Sequence, residues 1–130
     1  MSAIRILVVD DFRDWRRQVS LLLRARLEWQ VIAEAPDGSD AVQKAKDLKP
    51  DLVLLDINLP KLNGIEVARR IRQLSPGSKI VFLTQDCDPD VVQAALRTGA
   101  NGYLYKAHAQ SDLLLAIEAV LRGEQFVRVA

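Results

Sequence analysis

The sequence predicts a doubly wound α/β fold: one parallel sheet with helices on both faces. Three observations predict it. Five short apolar runs alternate with five segments whose apolar residues recur at helical spacing. Glycine, proline and aspartate punctuate the junctions. Four of the five runs end at a side chain able to do chemistry: Asp10-Asp11, Asp56, Thr84 and Lys106. Alternating β and α units pack only as a parallel sheet with right-handed crossovers.

The first strand is predicted at Ile4–Val9, an apolar run suited to burial on both faces. Asp14–Leu27 follows as a helix, with Trp15, Val19, Leu22 and Leu23 on one face. Trp29–Ala35 reads as a second strand and Pro36-Asp37-Gly38-Ser39 as a turn. Asp40–Leu48 brings Ala41, Val42, Ala45 and Leu48 to one side of a helix that Lys49-Pro50 stops. Leu52–Leu55 is wholly apolar and is the candidate central strand. A loop runs from Pro60 through Asn63-Gly64. Ile65, Ala68, Ile71 and Leu74 then form a stripe that Ser75-Pro76-Gly77 breaks.

Lys79–Leu83 is the fourth strand. Asp88 is placed to cap a helix with Pro89 at its first position, carrying Val92, Ala95 and Leu96 and ending at Gly99. Gly102–Tyr105 is the fifth strand. Ser111 is predicted to cap a last helix with Leu114, Ile117, Val120 and Leu121, ended by Gly123.

The length of 130 residues suits one domain, expected over residues 1–124, with 125–130 as a tail or the start of a linker. With 18 Lys and Arg against 17 Asp and Glu, bulk charge points to no polyanion. No basic run interleaved with aromatics argues for nucleic-acid binding by this chain itself. The single cysteine, Cys87, forbids an intramolecular disulfide and a cysteine metal cluster, and it reads as an unremarkable thiol. No apolar run approaches membrane-spanning length, and the opening MSAIRIL lacks a secretory pattern, so no membrane partner and a cytoplasmic setting are expected.

Why an apolar strand should end in two adjacent carboxylates is the question "IRILVVDD" raises, because like charges repel and partial burial sharpens the repulsion. Taken singly, Asp10-Asp11 could cap a helix, Asp56 could form a turn, and Thr84 and Lys106 could be an ordinary strand-end hydroxyl and a solvated lysine. Taken together they lie where such sheets bind ligands, outside the carboxyl ends of the strands. His108 reads as a loop residue, and Trp15 and Trp29 as packing anchors.

The motifs "VVDD" at 8–11, "LLDINLPKLNG" at 54–64, "FLT" at 82–84 and "GYLYK" at 102–106 resemble those of the receiver domain of two-component response regulators. The resemblance runs from Ile4 to Leu121. It implies a flavodoxin-like sheet of five strands in order 2-1-3-4-5 with five helices, which would set Asp10, Asp11 and Asp56 side by side. Clustered carboxylates suit a hard divalent cation, Mg²⁺ or alternatively Mn²⁺. By the resemblance, Asp11 and Asp56 are direct ligands, Asp10 acts largely through water, and the Asn58 carbonyl is a further ligand. The resemblance also implies that Asp56 accepts a phosphoryl group from a phosphohistidine, with Thr84 and Lys106 holding that group. Thr84 and Tyr103 form the implied switch, with Tyr105 as the alternative ring. The switch would alter a face spanning Asp88–Thr98, Gly102–Tyr105 and Ser111–Arg122.

The implied partners are a histidine kinase or histidine phosphotransfer protein, which the basic face carrying Arg16-Arg17, Arg24 and Arg26 could help to dock, and a second copy after phosphorylation. The implied role is that of a phosphoacceptor promoting its own phosphotransfer and dephosphorylation, not a conventional enzyme. The ending "AIEAVLRGEQFVRVA" resembles receivers joined to LuxR-type helix-turn-helix output domains, so DNA binding and transcriptional control would belong to residues outside this chain. Two departures stand out: Ala107, not proline, follows Lys106, and Gln85 follows Thr84 where many relatives carry a small residue. Two other functions compete. One is a pseudo-receiver that binds partners without phosphorylation. The other is a phosphatase of the haloacid dehalogenase type, whose nucleophile would sit in an Asp-x-Asp motif after the first strand.

Overall fold

The computed structural model describes residues 3–129. Strands β1 (Ile4–Val9), β2 (Trp29–Ala35), β3 (Leu52–Leu55), β4 (Lys79–Thr84) and β5 (Gly102–Tyr105) alternate with helices α1 (Arg13–Leu23), α2 (Gly38–Leu48), α3 (Gly64–Leu74), α4 (Pro89–Arg97) and α5 (Ala109–Leu121). A sixth strand, β6 (Phe126–Arg128), follows. The sheet is wholly parallel, with order β2-β1-β3-β4-β5-β6. The expected five-stranded sheet is therefore corrected to six. Three residues without an alternating pattern are too short to read as a strand. β6 forms by pairing in parallel with β5, which gives β5 a second neighbour and makes β6 the edge strand. The Phe126 N–H donates to the Asn101 carbonyl at 3.1 Å, and Arg128 pairs with Asp112 at 2.6 Å.

Each strand sends alternate residues to opposite faces. Leu7, Val9, Val53, Leu55, Phe82 and Tyr103 pack beneath α2, α3 and α4. Ile6, Val8, Leu52, Leu54, Val81 and Leu104 pack against Val19 and Leu23 of α1 and Leu113, Ile117 and Val120 of α5. Helix α1 stops four residues before the predicted Leu27. The N–H groups of Arg24, Ala25 and Arg26 turn to carbonyls three residues back, and Leu27 is 94% exposed, so it never belonged to the apolar face. Asp88 caps α4 and Pro89 opens it, as the sequence predicts. Helix α5 begins before the predicted cap: a 3-10 turn at Lys106–His108 runs into it, and the Ser111 hydroxyl donates back to the His108 carbonyl. Among the described residues no peptide bond is cis, and no helix is long and apolar enough to cross a membrane.

Candidate functional site

The register decides where the acids meet. Val9 of β1 stands opposite Leu55 of β3, so the next residues, Asp10 and Asp56, leave the sheet side by side. The Asp56 N–H donates to the Val9 carbonyl at 3.1 Å, which carries the ladder one step past the strands. Carboxylate oxygens of Asp10, Asp11 and Asp56 all lie within 4.8 Å of one another. Asp10 and Asp56 are buried, while Asp11 is exposed.

Local hydrogen bonds aim these side chains. Asp56 Oδ1 accepts from the Ile57 N–H at 2.7 Å and Asp10 Oδ1 from the Phe12 N–H at 2.8 Å. The loop after β3 folds back, with the Gly64 N–H donating to the Ile57 carbonyl at 2.8 Å. Gly64 lies so close that a Cβ there would stand 2.0 Å from the Asp56 carbonyl oxygen. Only a residue without a side chain lets α3 start at this point, and Asn63 caps it by accepting from the Glu66 N–H.

Lys106 arrives from the end of β5. Its Nζ lies 2.6 Å from Asp10 Oδ2 and 3.3 Å from Asp56 Oδ2. Three carboxylates against one ammonium leave two negative charges uncompensated. At 4.8 Å, the upper bound on their separations, two carboxylates repel by about 3 kcal/mol for an effective dielectric near 20. Burial pushes the Asp10 carboxyl above its ordinary range, and the Asp56 charge adds to that rise. Lys106 and the Phe12 N–H pull the other way without cancelling it. Among the described residues Lys106 is the one close partner of Asp10 Oδ2. Three converging carboxylates in a pocket of net charge −2 are the donor set a hard divalent cation takes.

These groups open into a cavity of about 410 Å³, lined by the three acids with Phe12, Asn58, Gln85 and Lys106. A cavity of about 450 Å³ between α1 and α5 carries Lys106 as its one charged group. The acids, not cavity size, therefore locate the chemistry.

Thr84 and Tyr103 stand apart from this lining. Thr84 is fully buried, and its hydroxyl accepts from the Asp86 N–H at 3.2 Å. Gln85, the next residue, faces the cavity instead. Tyr103 is also fully buried, its ring 6.0 Å from that of Phe82, and its hydroxyl donates to the Asp86 carbonyl. Burial pushes the Tyr103 phenol far above its usual range, and the Asp86 charge adds to this. Both side chains thus hold one loop, the segment between β4 and α4. His108 packs edge-on to Tyr105 at 5.9 Å, and Cys87 is exposed.

Two residues of α1 belong to the site although helical periodicity assigns Trp15 to the packed face and leaves Arg16 off it. Arg16 donates from Nη1 to the Asp10 carbonyl at 2.6 Å and pairs through Nε with Glu34 at 2.8 Å, so it braces the acid turn against β2. Trp15 places its ring 5.2 Å from Lys106 Nζ. Both lie one turn past Asp11, which is the signal a reading of loop-proximal positions would have used.

The chain matches, over residues 6–118, the family described as the response regulator receiver domain. It is 36% identical over 126 residues to the transcriptional regulatory protein DegU of Brevibacillus brevis, covering 97% of this chain and 53% of that one. It is 35% identical to the oxygen regulatory protein NreC of Staphylococcus aureus, covering 95% of this chain and 58% of that one. The chain thus spans about half the length of these curated relatives. Among solved structures, a LuxR-family two-component response regulator from Aurantimonas sp. SI85-9A1 superposes with a TM-score of 0.90 at 34% identity, covering 96% of this chain and 89% of that one.

Proposed function

The chain belongs to the response regulator receiver domain family, and from that premise we propose that Asp56 is its phosphoacceptor, taking a phosphoryl group from a phosphohistidine. One observation carries the reading. Asp56 ends the central strand with one oxygen fixed by the Ile57 N–H and the other facing Lys106 and the acid-lined cavity. In the step, an Asp56 oxygen forms a bond to phosphorus as the donor's N–P bond breaks, and the imidazole nitrogen leaves with its electron pair. A carboxylate is a competent nucleophile once it is placed in line.

Asp10, Asp11, Asp56 and the carbonyl of Asn58 would hold Mg²⁺, or Mn²⁺ in its place. Such an ion supplies neutralisation of the charge that collects on the phosphoryl oxygens. The chain's own residues do the rest. Lys106 meets the same charge from the β5 side. Thr84 can donate its O–H to a phosphoryl oxygen only by turning towards the cavity, an exchange of surroundings that pulls on the Asp86 N–H it accepts from and so on the loop that Tyr103 also holds. That exchange is the switch we assign to Thr84 and Tyr103, and α4, β5 and α5 are the face it alters. β6 pairs with β5 and so borders that face. The donor is a histidine kinase or histidine phosphotransfer protein, the output is transcriptional, and a second copy of the chain is a partner for the switched face. In this reading the chain promotes its own phosphorylation and dephosphorylation and is not a conventional enzyme.

The test is incubation with acetyl phosphate and Mg²⁺, followed by locating the added mass. Label is expected on Asp56 and absent from Asp56→Asn. Label at another residue overturns the assignment, and a wild-type chain that takes none favours a phosphorylation-independent binding module.

A further inference from the structure

We propose that Trp15 is a positioning residue for Lys106, its indole face holding the ammonium at the rim of the acid cluster. The inference rests on the reading of Asp56 as phosphoacceptor. An ammonium has three donors in a compact head on a flexible stem. Asp10 Oδ2 and Asp56 Oδ2 account for two directions. The Trp15 ring, centred 5.2 Å from Nζ, lies within range of a cation–π contact.

The ring is a fixed wall. Trp15 sits in the first turn of α1 and packs against the core shared by α1 and α5. The neighbouring Arg16 ties that turn to the Asp10 carbonyl and to Glu34 near the end of β2. Trp15 and Lys106 together line the open groove between α1 and α5, and again the groove beside Gln85. A lysine without that wall has open space on the side away from the acids.

The charges make the contact count most when the acids are engaged elsewhere. While Asp10 and Asp56 are free to pair with it, Lys106 is held chiefly by Coulomb attraction to the two carboxylates, with the ring contact added to it. A cation or a phosphoryl group drawing on the same oxygens weakens that hold, whereas attraction to the ring face is unaffected. Trp15 therefore serves the phosphoryl-accepting state more than the resting fold.

The test uses the full chain and two readouts. With a chelator present, the Cε protons of Lys106 are expected upfield of an ordinary lysine in the NMR spectrum, through the ring current. Trp15→Leu, which keeps apolar bulk without a π face, abolishes that displacement, while Trp15→Phe retains part of it. With acetyl phosphate and Mg²⁺, the labelling rate of Trp15→Leu falls about five- to tenfold, and Trp15→Phe stays near wild type. In a Lys106→Met background the residual labelling is the same with Trp15 or Leu at position 15, which a merely structural role of the ring would not produce. Wild-type labelling in Trp15→Leu, or an unchanged deficit in the Lys106→Met background, overturns the proposal. If wild type takes no label, the phosphoacceptor reading fails instead, and the Lys106 proton shifts decide whether the ring holds the lysine.

Discussion

Lys106 and Asp10 form the tightest ion pair of the site, Nζ to Oδ2 at 2.6 Å, with Asp10 only 2% exposed. Lys106 stands farther from Asp56, at 3.3 Å, so its closer partner is the acid at the end of β1 and not the acid proposed to react. This pairing still leaves Asp10 with a raised proton affinity, because burial outweighs the lysine.

That imbalance has a signed consequence for stability. A carboxyl whose folded pKa lies above its unfolded value favours the fold when protonated. Its contribution is lost as pH rises from the unfolded value through the folded one. With a chelator present, Asp10→Asn is expected to raise the thermal midpoint at neutral pH by a few degrees, and to lose that advantage below about pH 4. Mg²⁺ should then raise the midpoint of wild type more than that of the variant. A neutral-pH midpoint below wild type would show that the Lys106 pairing outweighs the cost of burying Asp10.

Gly64 tests how tightly the loop after β3 locates Asp56. A Cβ at 2.0 Å from the Asp56 carbonyl must move backbone, not a flexible side chain. Gly64→Ala is expected to cost about 1–3 kcal/mol in urea denaturation and to slow acetyl phosphate labelling beyond what the lost stability explains.

Tyr103→Phe removes one hydroxyl and leaves the ring packed on Phe82. The Asp86 carbonyl loses its donor, at a cost of about 1 kcal/mol. Hydrogen exchange should quicken at the amides of Asp86 and Asp88, which donate to Thr84 Oγ1 and Asp86 Oδ1, while those of β1 and β3 stay protected. Unchanged exchange in the loop would separate Tyr103 from it.

Arg128→Ala tests what holds β6. Its partner Asp112 is buried in the first turn of α5, where the helix N-terminus already favours a negative charge. The expected cost is therefore about 1–2 kcal/mol, below that of a fully orphaned buried charge. It should appear as faster exchange at the Phe126 amide with the remaining strands unaffected.

Much of the site was legible because its residues sit at strand ends, and strand ends are marked by where apolar runs stop. Asp10, Asp11, Asp56 and Lys106 meet as "VVDD", "LLD" and "YLYK" imply, and β2, β3 and β5 lie where their runs place them. By sequence Trp15 is a packing anchor and Arg16 part of a basic outer face, yet both reach the site, because the direction of a flank position depends on how α1 sits against the sheet. The end of α1 falls short of the expected Leu27 because that leucine has no core beneath it.

The sequence by itself determined the alternation of strands and helices, the two buried faces and the identity of the acids, since local periodicity and composition carry that information. Only the tertiary structure decided that β6 closes the β5 edge, that Thr84 and Tyr103 hold the loop after β4, and that Lys106 is shared by Asp10, Asp56 and Trp15. Each of these joins segments distant along the chain, and which atom meets which is set by strand register and helix packing, quantities with no local signature.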